Sequence, residues 1–281
     1  MKLINNVTRD EERAFYGSRD THFDCVTISG PQDGESAFKE CHNILITNSN
    51  LFLRYPCWHD TDTKLINCVL NDFSRAGFWY DDNISFENVN CHGVKALRES
   101  KNITINNSKF ISPEFAWRCH QIKLNNSEVE SEYAFFESEN IEINNMTFKG
   151  KYSFQYVKNL VIKHSYLDTK DAFWHAEHVV ITDSVVKGEY LAWYANDITF
   201  INCRIIGTQP ICYAKNVKFK DCTFEKADFA FEYSEVNGNI LGTMISIKNP
   251  LSGVIEIDKI PTMIIDEFDR SNGKFKIVEK K

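Results

Sequence analysis

The chain has 281 residues, a formal net charge of −7 and nine cysteines, an odd number with no C-x-x-C pair. An acidic balance argues against a nucleic-acid partner, which wants a basic stripe, and no apolar run approaches the roughly 20 residues of a membrane span. The stretch from Met1 to Asn6 turns polar at once and lacks the apolar core of a secretory signal, and the cysteines read as reduced core residues, so a cytoplasmic protein is expected.

In chain order, residues 1–22 are expected to form an N-terminal cap. Thr8-Arg9-Asp10-Glu11 fits a capping box, and Gly17 follows as a stop, so a short helix or hairpin over the open end of the array is expected. Val26-Thr27-Ile28 reads as a first coil, the run from Gly30 to Gly34 as a loop, and the runs from Asn43 to Asn48 and from Lys64 to Cys68 as two more coils. From there the chain repeats one line. Ile84, Ile103, Ile122, Ile141, Leu160, Val179, Ile198 and Val217 follow one another at intervals of 19 residues. Taking each as place 0, place 2 is again apolar (Ile105, Ile143, Phe219), place 4 is mostly Asn or Asp (Asn107, Asn126, Asp183), and place 7 is apolar (Phe110, Val129, Leu167). The step from Thr63 to Ile84 is 21 residues and predicts a small bulge near Arg75–Tyr80. After Glu232 the pattern loosens into short strands near Met244–Ile247, Val254–Ile257, Thr262–Ile265 and Lys274–Ile277.

A fixed period near twenty residues is the mark of a solenoid. Alternation within each line, as in Ile103-Thr104-Ile105, is the period-two pattern of a strand with one buried face. The expected fold is all-β, a single-stranded right-handed parallel β-helix with coils of about 19 residues stacked ~4.8 Å apart. Leucine-rich repeats are excluded because their L-x-x-L-x-L spacing is absent, and no six-residue sub-period supports a left-handed helix. One domain over 1–281 is expected, with regular coils over 23–235 and irregular closing coils over 236–281, because a solenoid grows by adding coils. The Asn/Asp column suits turns that need left-handed geometry and can ladder between coils.

The second half of each line carries the candidate site. Places 12 and 16 are mostly small (Ala134, Ser153, Ala172; Ser138, Ala176, Ala195), and place 14 is mostly large (Trp117, Phe136, Trp174, Trp193). Strict alternation then turns places 11, 13 and 15 outward. That face would hold Glu114 and Arg118, then Tyr133, Phe135 and Glu137, then Tyr152, Phe154 and Tyr156, then Asp171, Phe173 and His175, then Tyr190 and Tyr194. Rings with flanking carboxylates and hydroxyls suit an oligosaccharide, whose CH faces stack on rings while its hydroxyls need donors and acceptors. Place 13 is apolar from Leu97 through Ala192, and core packing of that place with place 14 at a corner fits equally well. A self-association face, making a homo-oligomer, or a docking face for a protein partner is the third reading.

If a bond is broken here, glycoside hydrolysis or polysaccharide lysis is the expected chemistry, with Glu137, His175 and Arg118 as the catalytic candidates. One- or two-coil separations fit the carboxyl spacings of about 5 Å or about 6.5–9.5 Å that glycosidases use. Against catalysis, the unbroken spacing of 19 leaves little room for the long loops that wall a cleft. Arg118 and Glu137 also read more simply as a surface ion pair in adjacent coils. No metal and no cofactor is expected, because the eight histidines show no ligand spacing and no phosphate loop or nucleophile elbow occurs.

The lines Ser112-Pro-Glu-Phe-Ala-Trp117, Ser131-Glu-Tyr-Ala-Phe-Phe136, Asp168-Thr-Lys-Asp-Ala-Phe-Trp-His175 and Lys187-Gly-Glu-Tyr-Leu-Ala-Trp-Tyr194, with Glu12-Arg13-Ala14-Phe15 and Asn249-Pro-Leu-Ser-Gly253, resemble a bacterial domain-of-unknown-function family, number 3737. The resemblance covers nearly the whole chain. It implies a pectate-lyase-like right-handed β-helix and a polysaccharide ligand, with no assigned activity and no catalytic residues to carry over. The acidic calcium ligands of pectate lyases are not matched here.

Overall fold

Alternating apolar residues give strands wherever the chain can hide one face, and among the described residues these strands pair in parallel. The computed structural model describes residues 1–29 and 36–281, so the loop expected from Gly30 to Gly34 lies outside the described residues. The chain is an all-β parallel β-solenoid with coils of about 19 residues, and no helix occurs among the described residues. It divides into two compact units, Met1–Glu142 and Ile143–Lys281.

In the first unit Ile44, Thr63, Ile84, Ile103 and Ile122 lie in register in successive coils. Place 2 stacks the same way, through Leu65, Phe86, Ile105 and Leu124, and both columns point inward. The ladder begins earlier than the sequence pattern suggests. Lys2–Asn5 already pairs with Thr21–Asp24, and Thr8–Arg9 is a strand rather than a capping box. Stacking against the next coil outweighs the local helix signal there. The two extra residues of the 21-residue coil fall between Leu70 and Phe78, since Leu70 pairs with Leu51 while Phe78 pairs with Cys57.

In the second unit Leu160, Val179, Ile198 and Val217 form the place 0 column. Phe148, Leu167, Val186, Ile205 and Phe224 form that of place 7. Register shifts between Phe219 and Cys222, where the closing coils begin.

Corners are made by residues of left-handed φ. Place 4 is left-handed at Asn88, Asn107 and Asn126 in one unit and at His164, Asp183 and Asn202 in the other, with φ between 49° and 54°. Asn and Asp visit this region at least cost. The amides also ladder, Asn67 donating to Asn48 at 3.1 Å and Asn88 to Asn67 at 2.7 Å. Just inside, Ser108 and Ser127 accept the preceding coil's N–H groups, those of Val89 and Ser108, at 3.0 Å. Eight of the nine free cysteines are buried and Cys25 is exposed.

Candidate functional site

The corner from place 11 to place 16 does not alternate as a strand. Places 13 and 15 are both left-handed: Ala116 and Arg118, Phe135 and Glu137, Phe154 and Tyr156, Phe173 and His175, Ala192 and Tyr194. In the second unit place 11 is left-handed too, at Tyr152, Asp171 and Tyr190. Each positive φ reverses the peptide, so donors point alternately to the coil before and the coil after. Phe173 N donates to Ser153 O of the preceding coil, and His175 N donates to Trp193 O of the following one. The reversal turns places 12 and 13 inward together, leaves place 14 at the corner and sends place 15 out.

Phe135, Phe154 and Phe173 are therefore core, each 0 % exposed, and are removed from the ligand-facing set. Phe154 and Phe173 stack at 5.2 Å, and Phe135 meets Phe115 edge-on at 5.3 Å. Place 11 is half-buried at Glu114, Tyr133, Tyr152 and Tyr190, and buried at Asp171. Burial pushes the Asp171 carboxyl up, against the opposing pull of Lys170. Glu114 sits 3.5 Å from Lys95 and 3.7 Å from Arg98. The carbonyls of Tyr133 and Tyr190 accept the indole N–H of Trp117 and Trp174, each at 2.7 Å. Lys170 Nζ lies over the Tyr190 ring at 5.4 Å.

In the first unit Arg118 Nε reaches Glu137 at 2.7 Å, and a second nitrogen lies 4.0 Å from Glu99. Both Arg118 and Glu137 are exposed. Exposed pairs of this kind contribute little to stability, because water and salt screen them. Arg118→Ala is accordingly expected to leave the thermal midpoint close to that of the wild type; a marked drop would mean the pair does more than screen charge. Behind them, place 14 forms a cation–π column: Lys39 over Trp58 at 5.6 Å, and Arg98 over Trp79 at 5.3 Å and over Trp117 at 4.9 Å. A groove of about 390 Å³ in the same unit follows the left-handed amides Asn83, Asn102, Gln121 and Asn140; none of the candidate residues lines it.

In the second unit place 15 is a ladder of rings. Tyr156 stacks on His175 at 4.9 Å and 5°, His175 on Tyr194 at 5.0 Å and 7°, and Tyr194 on Tyr213 at 4.9 Å and 14°. Tyr233 continues it at 5.6 Å, tilted 41°. Sequence reasoning stopped at Tyr194, although Tyr213 lies 19 residues further on. Both faces of His175 and of Tyr194 are taken by neighbouring rings, so a sugar ring has no open face to stack on there. What reaches solvent is the polar edge. The His175 ring nitrogens and the Tyr194 and Tyr213 hydroxyls have no partner among the described residues, whereas Tyr233 donates to Phe268 O at 3.1 Å. Burial, then the nearby Glu232 carboxylate, pushes the Tyr213 phenol up, so it stays a donor.

Among curated proteins no relative matches this chain. In structure it is similar to the catalytic domain of a GH87 α-1,3-glucanase in complex with tetrasaccharides, at TM-score 0.41 and 10% identity over 100% of this chain. It spans 64% of that domain. It is also similar to PfbA, a surface adhesin of Streptococcus pneumoniae (TM-score 0.41, 11% identity, 94% of this chain and 81% of that one). A third likeness is to a tailspike protein of an E. coli bacteriophage in complex with hexasaccharide (TM-score 0.40, 8% identity, 98% and 71%). The family model described as "Protein of unknown function (DUF3737)" matches residues 2–278, and the chain belongs to that family.

Proposed function

We propose that the protein is a non-catalytic carbohydrate-binding β-solenoid that holds an extended glycan along the ring ladder of its second unit. The observation that carries the reading is the row of polar edges at His175, Tyr194 and Tyr213, stacked 4.9–5.0 Å apart and without protein partners among the described residues. Phenol hydroxyls both donate and accept, and a neutral imidazole offers one donor and one acceptor, which is the demand that sugar hydroxyls make. The pitch is close to one sugar unit of an extended chain, so successive coils meet successive units. Stacking holds the edges in place before a ligand arrives, which lowers the ordering cost of binding. For the expected catalytic set the geometry offers no support. Glu137 is paired with Arg118, and His175 is held between Tyr156 and Tyr194.

Intrinsic fluorescence against a panel of oligosaccharides tests this directly. Trp193 lies 6.5 Å from Tyr194 and 5.5 Å from Trp174, so it reports on the ladder. A saturable shift that needs at least a trisaccharide and vanishes in His175→Ala is expected. A flat response across the panel would defeat the reading, and concentration-dependent mass would then favour a docking face for a second copy.

A further inference from the structure

The inward column at place 16 of the first unit runs through Cys41, Asp60, Asp81, Ser100, Cys119 and Ser138. Its polar members accept the backbone N–H of the coil before. Asp60 Oδ1 accepts Cys41 N at 2.8 Å, Asp81 Oδ1 accepts Asp60 N at 2.8 Å, Ser100 Oγ accepts Asp81 N at 3.1 Å and Ser138 Oγ accepts Cys119 N at 2.9 Å. Serine does this and then donates its own proton, Ser100 to Arg98 O at 3.0 Å and Ser138 to Ala116 O at 2.7 Å. An ionised aspartate has no proton to give. Oδ2 of Asp60 and Oδ2 of Asp81 are both buried without a hydrogen-bond partner at ordinary geometry among the described residues, the neutral Cys57 thiol beside Asp60 being a weak donor, and the two residues are 0 % and 1 % exposed.

Two carboxylates at this burial, in consecutive coils, repel strongly unless a proton or a cation intervenes. The titratable groups facing them are Cys41, Cys57 and Glu40 around Asp60, and Cys57 and Cys119 around Asp81. None is a cation. Burial pushes the Cys41 and Cys119 thiols up to about 12, so they stay neutral. Lys39 is engaged over the Trp58 ring. Immediately before the acids in sequence come ring pairs at the corner: Trp58 meets Trp79 at 5.6 Å, tilted by 49°, and His59 stacks on Tyr80 at 4.9 Å and 9°.

We propose that Asp60 and Asp81 form a proton-operated latch in the first unit: while the pair holds a proton the two coils carrying Trp58–His59 and Trp79–Tyr80 are closed, and loss of that proton opens this corner. Burial, then the neighbouring carboxylate in the case of Asp60, holds both acids well above the ordinary carboxylate range. The sign follows. An acid raised in the folded state gives stability that is fully present below its unfolded value of about 3.9 and is lost as pH rises toward the folded value. This is the reverse of the usual salt-bridged aspartate.

Amide hydrogen exchange at Cys41 and Asp60, corrected for intrinsic rates and followed from about pH 5 to about pH 9, reads the latch. Protection in the wild type is expected to fall with pH by up to about tenfold per unit for each proton retained. In the Asp60→Asn, Asp81→Asn double variant, or in Asp60→Ser, Asp81→Ser, which restores the column's own residue type, it is expected to be flat. An infrared band of a protonated carboxylic acid at neutral pH, present in the wild type and missing from the variants, is expected alongside. The infrared measurement on wild type decides even if no variant folds. Absence of the band at neutral pH, or wild-type protection that does not change with pH, overturns the proposal.

Discussion

Replacing Phe173 with alanine is expected to destabilise the second unit by about 3–5 kcal/mol, the range for deleting a fully buried aromatic side chain. Phe173 is 0 % exposed and stacks on Phe154 with only 8° between the rings. Truncation leaves a void that neighbouring coils, tied by main-chain hydrogen bonds, cannot collapse to fill. His175, two residues on in the same corner, is exposed, so His175→Ala is expected to cost far less, on the order of 1 kcal/mol for the stacking on Tyr156 and Tyr194 that it gives up. Denaturant midpoints of the two variants check the pair. Were Phe173→Ala to unfold with the wild type, place 13 would not be core and the left-handed corner would be wrong.

A larger loss is expected from Gly207→Ala. Gly207 has φ 138°, and a Cβ there would lie 1.8 Å from the carbonyl oxygen of Gly188 in the coil before. That oxygen belongs to a backbone already fixed by stacking, so the coils must separate. The cost is expected to be at least about 4 kcal/mol, beyond what ordinary substitutions reach, and the second unit should lose its cooperative thermal transition. Gly242 provides the control. Its φ is 76° and nothing lies within 4 Å of an added Cβ, so Gly242→Ala should carry only the left-handed penalty of about 1–2 kcal/mol. Equal losses in the two variants would show that backbone strain, rather than the close approach of coils, sets the requirement for glycine.

The fold was legible because the period of 19 repeats without error from Ile84 to Val217, and only register-stacked coils use such a period. The same register placed Arg118 beside Glu137. Which residues of the corner face out was not legible, for a physical reason. Alternation assumes extended backbone on both sides of a residue, and a phenylalanine at positive φ is too uncommon to assume. Phe135, Phe154 and Phe173 adopt it because burial of the ring against the next coil outweighs the local penalty. Tyr213 could have been found by extending the spacing one coil beyond Tyr194. The Asp60–Asp81 pair was hidden by the two-residue insertion between Leu70 and Phe78, which moves the second acid out of the 19-residue column. Nothing in composition marks an aspartate as buried.

Edge recognition by the ring ladder is the central claim, and substitution of tyrosine by phenylalanine tests it most directly. Tyr194→Phe with Tyr213→Phe keeps both rings in the stack and removes only the two hydroxyls. Isothermal titration with the glycan that shifts the wild-type fluorescence should show affinity reduced at least about tenfold, the loss of roughly 1.4 kcal/mol expected when ligand hydroxyls lose their partners, while the thermal midpoint stays unchanged. Full affinity in the double variant would contradict the account, because binding would then depend on the aromatic rings rather than on their polar edges.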